Sequence, residues 1–241
     1  MLKVELHTHT ADDPVDRIPH TSTELIDQAV RLGYQALAIT LHEKQLEIRD
    51  LVRYAAERGL VLIRGVERTI EGRHVLLLNF PSGADQARTF EDVARLKQSQ
   101  GGIVIAPHPF FPAPTCLRGD MDRYSDLFDA VEYNAMFTRL MNFNRRAERW
   151  AQRHGKPLVG NGDVHRLRQL GTTYSLVDAE PSPEAICAAV AEGRVRVVSR
   201  ALSIGQAAGI MTSLFSNDLL GAVSPRTTRA RLAESAACRE P

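Results

Sequence analysis

Leu2-Lys3-Val4-Glu5-Leu6-His7-Thr8-His9 alternates apolar and polar residues, as a first β-strand does, and ends on two histidines. No glycine-rich nucleotide loop follows it, as one would in an open, doubly wound dinucleotide-binding sheet. Next comes a capping box, Thr21-Ser22-Thr23-Glu24, with Leu25, Ile26, Ala29, Val30 and Leu32 at helical spacing up to Gly33. The same alternation continues along the chain. Strands are predicted at 36–40, 60–67, 74–79, 103–106, 130–133, 157–161 and 195–198, and helices at 43–58, 90–100 and 142–154. A further helix opens at Ser182-Pro183-Glu184, with proline in the first turn. About seven strands alternating with helices imply a largely parallel sheet, and without the nucleotide loop a closed or distorted TIM-like (β/α) barrel is favoured.

Residues 1–200 are expected to form one barrel domain. Residues 201–220 read as a peripheral helix, and the Ser-, Thr-, Pro-, Ala- and Arg-rich remainder to 241 as a flexible tail. Its Arg226, Arg229 and Arg231 read as solvated. Thirty basic residues against 29 acidic ones leave a formal charge of +1, so no whole-molecule attraction to nucleic acid is expected. No stretch approaches the ~20 apolar residues of a membrane span, and the N-terminus does not read as a secretory signal. Cys116, Cys187 and Cys238 are far apart and odd in number, so they read as reduced thiols rather than a disulfide framework. A cytoplasmic protein with no membrane partner is the expectation.

The chemistry lies in the histidines. Of eight, six fall at or just past strand ends or at a strand edge: His7, His9, His42, His74, His108 and His165. In a barrel, strand carboxyl ends converge on one face, where active sites are built. His7 and His9, two apart on extended backbone, point to one side, and Asp163-Val164-His165 repeats the device with a carboxylate. Glu67, at the end of the third strand, is placed to bridge two ions. Nitrogen and oxygen ligands suit Zn, Mn or Fe, and the absence of ligand cysteines argues against a purely structural zinc. His20 and His154, away from strand ends, are assigned ordinary hydrogen-bonding roles. Asp12-Asp13-Pro14 reads equally as a turn.

Taken in order, His7-Thr8-His9, Ala38-Ile39-Thr40-Leu41-His42-Glu43, Gly65-Val66-Glu67, Ala106-Pro107-His108-Pro109 and Gly162-Asp163-Val164-His165 resemble the successive motifs of the polymerase-and-histidinol-phosphatase (PHP) family. The resemblance runs from residue 3 to about residue 200. It implies a distorted seven-stranded barrel with a trinuclear metal site that hydrolyses phosphoesters. Carried onto this chain, it places a first ion on His7, His9, Glu67 and Asp163, and a second on Glu67, His74 and His108. A third falls on His42, His165 and an acid of the following loop, Asp12 with Asp13 as the alternative. Leu41 departs from the family pattern, which has Asp or Asn beside the histidine; leucine can neither ligate nor hydrogen-bond. Amidohydrolase barrels also begin with His-x-His, but Arg64-Gly65-Val66-Glu67 holds no bridging lysine.

The expected cofactors are therefore two or three divalent ions, and the expected reaction is hydrolysis of a phosphate ester by a metal-bridging hydroxide, without a phosphoenzyme. Glu67, Asp163 and His42 are the catalytic candidates. Arg139, Arg166 and Arg168 are candidate phosphate clamps. Phosphorylated small molecules, nucleotides and short oligonucleotides are the substrates considered, and with no capping domain between Gly101 and His165 the site is expected to be fairly open. The alternatives are a non-enzymatic metal-binding accessory domain and an amidohydrolase-type metal hydrolase.

Overall fold

The computed structural model describes residues 1–221, with side chains described to residue 212. The expected tail and the third cysteine lie outside the described residues. In chain order the elements are β1 (Leu2–Glu5), α1 (Ser22–Arg31), β2 (Ala36–Ile39), α2 (Arg49–Ala56), β3 (Val61–Ile70), β4 (Arg73–Leu78), α3 (Phe90–Gln100), β5 (Ile103–Ala106), α4 (Asp120–Arg123), β6 (Ala130–Asn134), α5 (Asn144–His154), β7 (Leu158–Asn161), β8 (Thr173–Val177), α6 (Pro183–Ala191), β9 (Val195–Ser199) and α7 (Ile204–Gly221). Nine strands form one sheet in the order β7-β6-β5-β4-β3-β2-β1-β8-β9. The fold is mixed α/β with a nearly closed, barrel-like sheet.

The strand count and direction differ from expectation, for local reasons. β3 and β4 are a hairpin, turned by Glu71 and Gly72 with φ of 48° and 82°, the left-handed pair that a two-residue turn between twisted strands requires. β8, a segment to which the sequence assigns no element, pairs antiparallel with β1 and β9. Among the neighbouring strands of the described residues, β1-β2-β3 and β5-β6-β7 pair in parallel and the rest antiparallel. Closure comes from β7 meeting β8 side-on. The Gly160 amide donates to Ser175 Oγ at 2.9 Å, and a side chain at Gly160 would lie 2.7 Å from the Tyr174 carbonyl oxygen. Glycine is what lets the two backbones approach.

Alternate residues of successive strands, including Val4, Leu6, Ala36, Ala38, Leu76, Leu78, Ile103 and Ile105, fill the enclosed space together with Ile186, Cys187, Ala189 and Val190 of α6. The opposite faces carry the helices. Leu37, Ile39 and Leu41 pack with Leu25 and Ile26 of α1; Val66, Val104 and Val131 pack with Val93 of α3 and Trp150 of α5. Leu41, fully buried there, serves packing. The expected helix at 43–58 begins only at Arg49, because Glu43 is left-handed (φ 59°) and bonded to β3: its amide donates to the Glu67 carbonyl, and its carboxylate takes the Thr69 amide and pairs with Arg68. The capping box at Thr21 and the cap at Ser182 form as predicted.

Cys116 and Cys187 are free and buried. Burial pushes the Cys187 thiol up to about 12. In the folded chain at pH 8, iodoacetamide should leave Cys187 unlabelled, and denaturation should expose it. Mass spectrometry showing equal labelling rates in both states would contradict this placement.

Candidate metal centre

Two isolated backbone bridges assemble the centre. Thr8 pairs parallel with Val164, so His7-Thr8-His9 and Asp163-Val164-His165 lie side by side: the His9 amide donates to the Val164 carbonyl and the Val164 amide to the His7 carbonyl, both at 3.1 Å. With period-two alternation, pairing at the middle residue sends all four flanking side chains to one side. His42 pairs likewise with Glu67. The hairpin sets His74 opposite Thr69, bringing the start of β4 to the same face as the end of β3. His108 follows β5, its amide 3.3 Å from Glu132 Oε1. His108 and Asp163 have φ of 28° and 48°, sparsely populated conformations of the kind that cluster at functional sites.

Glu67, almost fully buried, is the hub. Its Oε1 lies 2.8 Å from His74 Nδ1 and 3.1 Å from His108 Nε2. Its Oε2 lies 3.1 Å from both His7 Nε2 and His42 Nε2, and 3.4 Å from His9 Nε2. Asp163 Oδ1 stands 3.4 Å from His7 Nε2, 3.6 Å from His9 Nε2 and 3.4 Å from His165 Nδ1. All six expected histidines, Glu67 and Asp163 thus meet in one place.

The loop acids separate. Asp12 is exposed and accepts from Ser22 Oγ at 3.3 Å, turned away from the cluster. Asp13 Oδ2 instead lies 3.0 Å from the Nδ1 atoms of both His9 and His42 and accepts the His42 amide. Asp16, which the sequence reading passed over, brings Oδ2 to 2.9 Å from His165 Nε2; its signal was a third aspartate four residues after Asp12. Glu132 was also missed. Fully buried, it holds His7 Nδ1 at 2.7 Å and accepts from Asn134 and Asn161 amide groups at 2.6 and 3.2 Å. A carboxylate inside an otherwise apolar strand was the available hint. Because it accepts at Nδ1, it leaves Nε2 of a neutral His7 as the ligating atom. Cys116 Sγ sits similarly at 3.5 Å from His108 Nδ1.

The arginines fall elsewhere. Arg139 is exposed, Arg168 donates to the Gly209 carbonyl of α7 at 3.0 Å, and Arg166 donates to the His165 and Arg17 carbonyls. None lines the cavity over the cluster. His20 donates from Nε2 to the His9 carbonyl, and His154 stacks on Trp150, the ordinary roles expected of them.

Burial alone would push the imidazole pKa values down and the carboxylates up. Mutual attraction outweighs it. Asp163, Glu67 and Glu132 hold His7 well above its usual value, and Glu67 with Asp13 does the same for His42. Glu67 is held well below the carboxylate range by His7, His74 and His42, and Asp163 by His7, His9, His165 and His108. In the metal-free chain, protons on imidazoles supply the positive charge that the carboxylates demand. His9 Nε2 and His74 Nδ1 are buried without a hydrogen-bond partner; His74, though 2.8 Å from Glu67, is not aligned for one. Polar atoms buried this way are costly unless something else satisfies them. Four groups of three ligand atoms lie mutually within 4.8 Å: His9, His42 and His165; His7, His108 and Asp163; His7, His9 and Glu67; His42, Glu67 and His74. The donor set and its orphaned nitrogens fit divalent cations, and any of these groups could hold one.

A barrel-like α/β sheet whose strand ends gather six imidazoles, five of them around one glutamate and the sixth beside Asp163, defines the class. The chain belongs to the PHP family. Residues 142–195 match the family model described as PHP-associated. An uncharacterized protein of Methanocaldococcus jannaschii, MJ1587, is 31% identical over 148 residues, covering 56% of this chain and 82% of the relative. A PolC-type DNA polymerase III of Staphylococcus saprophyticus is 31% identical over 83 residues, 34% of this chain; the match spans only 6% of the polymerase's length. Among solved structures, a two-domain protein from Bacteroides vulgatus containing a predicted PHP-like metal-dependent phosphoesterase superposes with a TM-score of 0.64 at 21% identity, over 83% of this chain and 65% of that one. Among the described residues no helix is long and apolar enough to cross a membrane.

Proposed function

We propose that this chain hydrolyses phosphate esters at a centre of two or three divalent ions. The observation that carries the reading is Glu67, whose two oxygens each face histidines from different strands, as a carboxylate shared between neighbouring cations would. His7, His9 and Asp163 would complete one ion, His74 and His108 a second, and His42 and His165 a third with Asp13 as the loop acid. Bound ions would supply Lewis acidity, lowering the pKa of water from 15.7 to about 7 and neutralising phosphoryl oxygens. The protein's part is positioning. Glu132 and Cys116 fix the rings of His7 and His108, and Asn134 Nδ2 steadies Asp163 Oδ2 at 3.3 Å. Asp163 is a quarter exposed while Glu67 is sealed, so Asp163 is the ligand-set carboxylate that meets an entering ester. Held ionised by the histidines, it can accept a proton but has none to give.

With manganese added, the chain should release phosphate from p-nitrophenyl phosphate or a short oligonucleotide. His9→Ala and Asp163→Ala should each lower turnover by a factor on the order of 100 or more, since each removes a ligand from the shared site. Full metal occupancy with no turnover on any ester would point instead to an accessory metal-binding domain.

A further inference from the structure

The face over the cluster is narrowed by a helix. α7 places Ile210 and Met211 beside the cluster. The helix is held by the Arg168 bond to the Gly209 carbonyl, and the segment leading into it by a bridge between Thr138 and Leu202 and by the Leu202 amide on the Phe137 carbonyl at 2.9 Å. What remains is a cavity of about 240 Å³, below the ~300–1,000 Å³ of sites that hold drug-sized ligands. Its floor is the histidine–carboxylate cluster. Its walls are largely apolar, formed by Phe111, Ala113, Met136, Ile210 and the part-exposed Met211, with Thr115 a polar residue among them. Phe111 is braced against Phe143 at 5.4 Å between ring centres, and Ile210 is 6% exposed. No lysine or arginine lines the cavity among the described residues. The amides present are engaged: Asn134 Nδ2 on Glu132 and Asp163, Gln169 Nε2 on the Asp163 carbonyl, and Gln169 Oε1 on the His165 and Arg166 amides.

A phosphate monoester presented to this floor must turn its organic group toward the apolar wall. An apolar group gains by leaving water there, whereas a ribose, a base edge or a second phosphate would lose several hydrogen bonds to water and find little beyond the Thr115 hydroxyl to replace them. We infer that the substrate is the monophosphate ester of a small, uncharged, apolar or aromatic alcohol, selected by Phe111, Met136 and the α7 residues Ile210 and Met211. This deepens the proposed phosphoesterase activity and rests on it. The reaction balances as a simple hydrolysis. Water oxygen bonds to phosphorus, the ester P–O bond breaks, and the alcohol leaves with a proton derived from that water.

The full chain, loaded with manganese and checked for metal content, is assayed on benzyl phosphate, glycerol 1-phosphate and a 5′-phosphorylated oligothymidylate. The first two carry primary alcohol leaving groups, so they differ chiefly in polarity. Benzyl phosphate should exceed each of the others at least tenfold in kcat/KM. Met136→Ser and Ile210→Ser should each shrink the benzyl-to-glycerol ratio several-fold, through KM on benzyl phosphate. Circular dichroism melts confirm that each variant folds, and if one does not, the other variant and the wild-type ratio decide. Comparable rates on all three esters, preference for the oligothymidylate, or ratios unmoved in folded variants would overturn the inference while leaving the phosphoesterase reading intact. No hydrolysis of any ester by the metal-loaded chain would remove both.

Discussion

Glu67→Gln is expected to lower kcat/KM for phosphate-ester hydrolysis by about 10³-fold or more, equivalent to roughly 4 kcal/mol of transition-state stabilisation, and to reduce bound manganese per chain. Its two oxygens face His74 and His108 on one side and His7 and His42 on the other. Glutamine keeps the shape but replaces one anionic oxygen with an NH₂ group, which would direct hydrogens at imidazole nitrogens that need an acceptor or a cation. No neighbouring carboxylate spans the same set: Asp163 faces His7, His9, His165 and His108, and Asp13 faces His9 and His42, so neither reaches His74. Elemental analysis beside steady-state kinetics tests the prediction. A variant that retained wild-type metal content and turned over within tenfold of the parent would remove Glu67 from the centre of the mechanism.

Glu132→Ala should act through position and stability together. The carboxylate is fully buried and serves His7 Nδ1, the side-chain amides of Asn134 and Asn161, and the His108 backbone amide. Deleting it strands several buried donors at once, and breaking a buried ion pair by removing one partner costs about 3–5 kcal/mol. The His7 ring also loses the acceptor that sets its tautomer, a change that usually costs ~10–100-fold in metal affinity. Denaturant melts of the metal-free chain would read the first effect and manganese titration the second. Glu132→Gln keeps one acceptor oxygen and should recover part of the stability. Manganese affinity unchanged in a folded Glu132→Ala chain would show that His7 needs no such support.

The sequence displayed much of this site because its groups come as local patterns at strand ends. His7-Thr8-His9 and Asp163-Val164-His165 put two donors on one side of extended backbone whatever the partner strand. Glu67, His42 and His108 end or follow apolar runs that can only be strands. Short-range periodicity also indicated most helices and the capping box at Thr21. It could not distinguish Asp12 from Asp13, because in a turn rich in acids the side chain that points inward is decided by backbone geometry, not residue type. Asp16 and Glu132 were hidden for another reason: each matters through contacts with histidines far away in the chain.

The residues themselves determined an α/β chain that carries imidazoles and carboxylates at strand ends, since alternation and helical spacing are properties of neighbouring positions. Only the tertiary structure decided that β3 and β4 turn back as a hairpin to deliver His74, that β8 closes the sheet against Gly160, and that Leu41 faces the helices. It alone brought α7 beside the cluster and left the arginines outside. These outcomes depend on pairing and packing between segments distant in sequence, where the free energy belongs to the contact and neither segment carries it alone.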